Sequence, residues 1–149
     1  MDPARVVAVA ERLAALGCDE VSIGDTIGVG VPTQVSDVVG RLARALPLDK
    51  IAVHFHDTRG TALANVVAAL LEGVAVVDSS AGGLGGCPYA PGASGNLATE
   101  DLLYMLHGMG IETGVDIGAV AAASRALAPR LGHALPSRYL QATRSAASK

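Results

Sequence analysis

The chain has 149 residues, of which 50% are hydrophobic and 17% are charged. This is enough apolar material for a packed domain, and it excludes an intrinsically disordered chain. Aromatic residues make up 3% and tryptophan is missing, so we expect a core of Val, Leu, Ile and Ala, as in buried parallel sheets. The net charge of −3 comes without a basic block, so neither nucleic acid nor a membrane surface is expected as a partner.

Cys18 and Cys87 are far apart and have no zinc-type or CxxC spacing. We therefore expect reduced thiols, with Cys18 packed in the interior. Residues 1–5 lack the basic start and apolar core of a signal peptide, and no apolar stretch reaches the roughly 18 residues of a transmembrane helix. These features predict a cytoplasmic location if the protein is bacterial, with no targeting signal in these residues.

The first predicted helix begins at Asp2 and Pro3, a capping side chain followed by proline at the first helical position. Gly17 predicts its end. The predicted apolar face of this helix consists of Val6, Val9, Leu13 and Leu16.

Strands and helices then alternate along the chain. Strands are predicted over residues 20–23, 51–57 and 74–77, and helices from Pro32 onward and over residues 62–71, 96–107 and 116–128. The tail after Pro136 is expected to fray. This alternation is typical of βαβ units and predicts an α/β fold with a parallel sheet.

Polar side chains cluster where the predicted strands end, at Asp25, His54, His56, Asp57 and Asp78. Sites in α/β proteins are built at that end of the sheet. His54 and His56 are expected on one face of their strand, from which both imidazoles could bind one metal ion. Two histidines hydrogen-bonded inside the sheet are the alternative.

A glycine-rich loop contains Gly82, Gly83, Gly85 and Gly86 and is followed by Cys87. Such a backbone can move or approach a ligand closely, and a cysteine at its end could act as a mobile acid, base or nucleophile. A plain turn with a buried thiol is the alternative. The loop lacks the Lys-Ser/Thr ending of a phosphate-binding P-loop.

Asn96 and Asp25 each allow two interpretations. Asn96 precedes the fourth predicted helix, where an N-cap is the commoner role, but its amide oxygen could bind a metal instead. Asp25 could cap a turn or present its carboxylate to a site. Gly28 and Gly30 do not form a dinucleotide-binding fingerprint, because no third glycine follows at the required place.

Three sequence blocks together indicate a protein family far more specifically than any one of them does alone. They are Gly24-Asp25-Thr26-Ile27-Gly28-Val29-Gly30, His54-Phe55-His56-Asp57-Thr58 and the run GGCPYAPGASGN from Gly85 to Asn96. In this order and spacing they resemble the 3-hydroxy-3-methylglutaryl-CoA lyase family. The Gly-Gly-Cys-Pro-Tyr sequence points to this family among relatives that share a His-x-His strand.

The resemblance implies a (β/α)₈ TIM barrel, of which this chain would form about strands 6–8 with their helices plus C-terminal helices. Residues 1–149 would be a single partial domain. Residues 1–114 would supply barrel units and the glycine loop, and residues 115–149 a C-terminal helical region and tail. The implied reaction is the cleavage of 3-hydroxy-3-methylglutaryl-CoA to acetyl-CoA and acetoacetate, a step of leucine catabolism that uses Mg²⁺ or Mn²⁺.

The resemblance also implies roles for individual residues. His54, His56 and Asn96 would bind the metal, and such imidazole and oxygen donors suit a divalent ion. Asp25 or His54 would accept the hydroxyl proton of the acyl-CoA substrate, and Cys87 would protonate the enolate product. The substrate-binding loop would consist of Gly82, Gly83, Gly85 and Gly86.

Part of the family's site has no match in this sequence. The family's first strand carries an Asp ligand and an adjacent Arg, and its second strand a Glu, whereas only three strands are predicted here. We therefore expect residues 1–149 to be inactive alone. They could be a fragment of the lyase or half of a split enzyme, and a separate N-terminal half or a homo-oligomer partner is possible. They could also be a noncatalytic metal-binding or oligomerisation module. Half of a related aldolase or acyl-CoA condensing enzyme is the last alternative.

Overall fold

A computed structural model describes residues 2–86 and 95–143. The helices are α1 (Pro3–Ala15), α2 (Pro32–Ala45), α3 (Ala62–Leu71), α4 (Thr99–Gly108), α5 (Ile117–Leu131) and α6 (Arg138–Ala142). The strands are β1 (Val21–Asp25), β2 (Ile51–Phe55) and β3 (Val76–Asp78), and short 3₁₀ turns cover Leu48–Lys50 and Ala81–Gly83.

The strands form one parallel sheet in the order β1-β2-β3. Gly24 lies beside His54 in the register, and His54 lies beside Asp78. The predicted α/β class with a parallel sheet is therefore confirmed, and the residues at the strand ends are neighbours.

The two faces of this sheet are covered unequally. Ile23, Val53 and Phe55 pack with apolar residues of the helices in the main core, where Val53 is 0% exposed. Because side chains alternate along a strand, Ser22 and Val76 lie on the opposite face, and both are exposed. His54 and Asp78 share this second face, which we call the open face.

The predicted apolar face of α1 is wrong at three positions. Val9, Leu13 and Leu16 are 57%, 37% and 82% exposed. The helix packs on the core through Val6 and the buried Ala10 instead, so the remaining apolar residues face outward from the described part of the chain. We call Val9, Leu13 and Leu16 the α1 stripe.

The other helix predictions hold in their interiors and differ at their ends. Helix α3 spans the predicted residues 62–71. Helix α5 begins directly after Asp116, whose carboxylate accepts hydrogen bonds from two backbone N–H groups of its first turn. Helix α4 begins at Thr99 rather than at Asn96, and β2 ends at Phe55 rather than at Asp57.

Helix α6 lies where the sequence predicts a fraying tail. Its start is fixed by Asp101 of α4, which accepts hydrogen bonds from the hydroxyl of Ser137 and from two backbone N–H groups. Leu135 and Leu140 pack against α5 in a second, smaller apolar cluster. Residues 144–149 of the predicted tail lie outside the described residues.

Cys18 is exposed, so its predicted packing role is wrong; it follows α1 at the surface. Within residues 2–86 and 95–143, every helix is too short or too polar to cross a membrane.

Candidate active site

The candidate site lies at the carboxyl end of the sheet. The parallel register places the last residues of β1 beside the end of β2, and His54 of β2 beside Asp78 of β3. The chain from β2 continues directly to His56. The strand order alone therefore brings Asp25, His54 and His56 to one edge of the fold.

His54 is held by the neighbouring strand. Its ring nitrogen Nδ1 contacts the carboxylate of Asp78, which also accepts a hydrogen bond from Ser22 Oγ at 3.3 Å. A carboxylate only accepts hydrogen bonds, so in a neutral His54 ring this contact places the proton on Nδ1 and the lone pair on Nε2. The His54 side chain is 28% exposed.

His56 lies just beyond β2, in an isolated antiparallel bridge with Asn96. Its ring centroid is 5.1 Å from that of His54, in an edge-on arrangement. Its Nδ1 atom is buried and has no hydrogen-bond partner among the described residues. Burial lowers the pKa of His56, the nearby His54 lowers it further, and Asp25 partly offsets both effects.

Asn96 does not cap α4, so the N-cap interpretation is wrong. The cap position belongs to Ala98, and the chain from Gly95 to Leu97 instead pairs with the end of β2, since Leu97 N–H donates to Phe55 O at 3.0 Å. The side-chain nitrogen of Asn96 donates to Leu84 O at 2.9 Å. That bond leaves the amide oxygen as the atom that could bind a metal.

Asp25 caps the loop that follows β1. Its two carboxylate oxygens accept hydrogen bonds from Val29 N–H at 3.1 Å and from Gly30 N–H at 2.8 Å. The carbonyl of Gly30 is held in turn by Thr61 and Asn65 at the start of α3. The turn-capping interpretation is therefore correct, and the same carboxylate acts electrostatically on His56.

The glycine loop has a buried part and an exposed part. Gly82 and Gly83 are buried, whereas Gly85 and Gly86 are exposed. A Cβ atom at Gly95 would lie 2.4 Å from Gly85 O, so only glycine allows the two ends of the loop to approach this closely. Cys87 lies outside the described residues, and its catalytic role stays a prediction.

The residues gathered here fit a divalent ion. His54 has one ring nitrogen on a carboxylate, as metal-bound histidines usually do. In the part of the chain that the structure describes, His56 Nδ1 is buried without a hydrogen-bond partner, and Asn96 has an amide oxygen. Among the described residues, no three His, Cys, Asp or Glu side chains are arranged to hold a metal, so the set relies on the amide of Asn96.

One pairing and one residue escape reasoning from the sequence alone. Asp78 is predicted at a strand end, but only the register shows that it meets His54. Glu100 is fully buried in the first turn of α4, where an acidic residue normally faces solvent. No local sequence pattern indicates the burial of Glu100.

Comparison with known proteins places this geometry in a family. Residues 1–127 match the HMGL-like family. The chain is 57% identical over 136 residues to hydroxymethylglutaryl-CoA lyase of Pseudomonas mevalonii, which covers 91% of this chain and 45% of that protein. It is 51% identical over 143 residues to the mitochondrial hydroxymethylglutaryl-CoA lyase of Homo sapiens, which covers 96% of this chain and 44% of that protein.

Solved structures give the same relationship. The HMG-CoA lyase of Bacillus subtilis superposes with a TM-score of 0.93 at 50% identity, over 97% of this chain and 48% of that one. An HMG-CoA lyase of Acinetobacter baumannii, solved with coenzyme A and 3-methylmalate, gives 0.91 at 40% identity, over 97% and 47%. The chain thus spans about half the length of the relatives that it matches. By sequence and by fold, the chain belongs to the HMGL-like family of carbon–carbon lyases.

Proposed function

We propose that residues 1–149 form the part of a hydroxymethylglutaryl-CoA lyase that carries the metal-binding side chains and the glycine loop. The observation that carries this proposal is the meeting of His54, His56 and Asn96. The centroids of the two rings are 5.1 Å apart, and a separate segment brings Asn96 beside them, because its backbone forms a bridge with that of His56. Family membership supports the same assignment.

The proposed cofactor is Mg²⁺ or Mn²⁺, bound by His54, His56 and the amide oxygen of Asn96. When bound, such an ion polarises the hydroxyl and carbonyl oxygens of the substrate. Asp78 would hold His54 in the tautomer that leaves Nε2 free, because it contacts Nδ1. Burial lowers the pKa of His56, which favours the neutral imidazole, and only the neutral form binds a metal.

Asp25 is the proposed base, with His54 as the alternative. The hydroxyl proton of the substrate passes to the base as the adjacent carbon–carbon bond breaks and the hydroxyl carbon becomes the ketone of acetoacetate. His54 would have one nitrogen on Asp78 and the other on the metal, which leaves it no lone pair. Asp25 keeps lone pairs beyond the two N–H groups that it accepts from.

The other product is the enolate of acetyl-CoA, which needs a proton. We propose that the thiol of Cys87 supplies it, carried by the loop of Gly82, Gly83, Gly85 and Gly86, which would also exclude water from the substrate. An acyl-CoA as substrate is supported by the relative that was solved with coenzyme A.

The proposed fold is about strands 6–8 of a TIM barrel, with residues 115–149 as the C-terminal helical region. In a closed barrel, the inner face of each strand packs against other strands, whereas Ser22, Val76 and Asp78 on the open face of this sheet are exposed. The α1 stripe is exposed, and helix α1 itself contacts β1. An apolar groove of about 570 Å³, lined by Val6, Ile23 and Phe55 among others, opens at the same edge. We propose that these surfaces pack against an N-terminal half like that of the relatives.

A complementation assay tests the proposed function. Residues 1–149 are incubated with 3-hydroxy-3-methylglutaryl-CoA and Mn²⁺, alone and with the N-terminal half of the Bacillus subtilis lyase, and acetoacetate is measured. We expect turnover in the mixture and none from residues 1–149 alone. His56→Ala should abolish the turnover of the mixture. His133→Ala, which changes an exposed histidine in the segment between α5 and α6, is the matched control and should retain it.

Each remaining interpretation has its own outcome. Acetoacetate release by residues 1–149 alone would contradict the need for a second half. Mn²⁺ binding without turnover in any mixture would favour a noncatalytic metal-binding or oligomerisation module. Turnover of another acyl-CoA, with none of this substrate, would favour half of a related aldolase or condensing enzyme.

A further inference from the structure

Glu100 is the most deeply buried acidic side chain of the described residues, with 0% of its surface exposed. It lies in the first turn of α4, and no Lys, Arg or His of the described residues forms an ion pair with it. A buried carboxylate is costly unless donors surround it. The proposed chemistry gives Glu100 no role, so the burial of its carboxylate needs another explanation.

Hydrogen bonds from two other elements converge on Glu100. Gly82 N–H donates to both of its carboxylate oxygens, at 3.0 and 2.9 Å. The hydroxyl of Ser124, which is itself fully buried in α5, donates to one of them. The N-terminus of α4 adds a favourable dipole. Glu100 therefore joins the glycine loop to α4 and α5.

The start of the glycine loop needs such an anchor. Gly82 and Gly83 have φ angles of 67° and 71°, a left-handed backbone that other residues rarely adopt. The segment before α6 closes over them: Ser137 N–H donates to Gly82 O at 3.3 Å. A Cβ atom at Gly82 would lie 2.9 Å from a methyl group of Leu135. The segment between α5 and α6 thus contacts this turn through Leu135 and Ser137, and Glu100 accepts the hydrogen bond of its Gly82 N–H.

The anchored turn leads directly to a proposed metal ligand. Leu84 follows the turn, and its carbonyl accepts the hydrogen bond from Asn96 Nδ2 at 2.9 Å. That bond fixes the orientation of the Asn96 amide, and the backbone of Asn96 is in turn bridged to that of His56. A shift of the turn would therefore move the Asn96 oxygen and the exposed Gly85 and Gly86 together.

We propose that Glu100 is a positioning residue that fixes the base of the glycine loop and, through Leu84, the amide of Asn96. In this assignment the C-terminal helices act on the site through Ser124. The inference rests on the proposed function for its catalytic consequence, whereas its structural part concerns the loop alone.

Hydrogen–deuterium exchange on the 149-residue chain tests the structural part. Ser124→Ala removes one donor to Glu100, and Glu100→Gln removes the charge at nearly constant shape. Exchange of residues 82–86 should become about tenfold faster in both variants, since each weakens a bond to a charged acceptor. Exchange of β2 should not change. Ser36→Ala in α2 and Glu11→Gln in α1 are the matched controls and should leave both regions unchanged.

Unchanged exchange of residues 82–86 in both variants would overturn the inference. Faster exchange that spreads equally over β2, α4 and α5 would also overturn it, because it would indicate a general contribution of Glu100 to folding. In the active mixture of the two halves, Ser124→Ala should lower kcat about tenfold and leave KM within about twofold. A change in KM alone would also count against it. Because exchange needs no turnover, an inactive wild-type mixture would weigh against the proposed function and leave the exchange data to decide this inference.

Discussion

Replacement of Asp78 tests the proposed metal site without touching any ligand. Asp78 contacts Nδ1 of His54, and loss of such a carboxylate partner typically reduces metal affinity about 10–100-fold. This corresponds to about 1.4–2.8 kcal/mol of binding free energy. Asp78→Ala should therefore weaken Mn²⁺ binding by that factor. Asp78→Asn should weaken it less, because a neutral amide oxygen still accepts the hydrogen bond, although more weakly than a carboxylate.

Titration of residues 1–149 with Mn²⁺, followed by electron paramagnetic resonance, measures this effect. The Asp78 side chain is 56% exposed, so its loss should change the free energy of unfolding by no more than about 0.5 kcal/mol. Asp49→Ala, which removes an exposed carboxylate of the same charge, is the control for net charge. Equal Mn²⁺ affinities of Asp78→Ala and the wild-type chain would refute the assignment of His54 as a ligand oriented by Asp78.

Three further expectations follow from burial and charge. Leu42→Ala, at a position with 0% exposure, should lower the free energy of unfolding by about 2–5 kcal/mol. Leu16→Ala should lower it by no more than about 0.5 kcal/mol. Urea denaturation of the two variants measures both values. Asp25→Ala releases two backbone N–H groups of its loop and should cost about 1–3 kcal/mol in the same assay. Burial, and then the charge of His54, lowers the pKa of His56 from its ordinary 6.5. The unfolding free energy should therefore fall as pH drops below about 6.5, and less steeply in His56→Gln, as urea denaturation over a pH series would reveal.

The sequence predicts local features of this fold well. Helix α3 has the predicted bounds, because an apolar run interrupted only by Asn65 is soon followed by Gly73, and such signals depend only on neighbours in the chain. The Asp2 cap of α1 is confirmed by its hydrogen bond to Ala4 N–H at 2.9 Å. The α1 stripe is exposed although its spacing predicts a buried face, because an apolar spacing marks a face of a helix but does not show which element covers that face.

Long-range pairing explains the other differences. Asn96 has the local pattern of a helix cap, but its backbone pairs with His56, which is distant in sequence. Helix α6 is short and polar, and its start depends on Asp101 of α4. Glu100 was missed for the same reason, since its partners Gly82 and Ser124 come from two other segments.

A chimeric enzyme tests the central claim most directly. In it, residues 1–149 replace the matching part of the Bacillus subtilis lyase, to which this fold superposes with a TM-score of 0.93, and acetoacetate release is measured with Mn²⁺. The account predicts an active chimera that loses activity in His54→Ala, His56→Ala and Asn96→Ala and keeps it in His133→Ala. A folded but inactive chimera, or one whose activity survives all three site substitutions, would contradict the claim that these residues form the lyase's metal site.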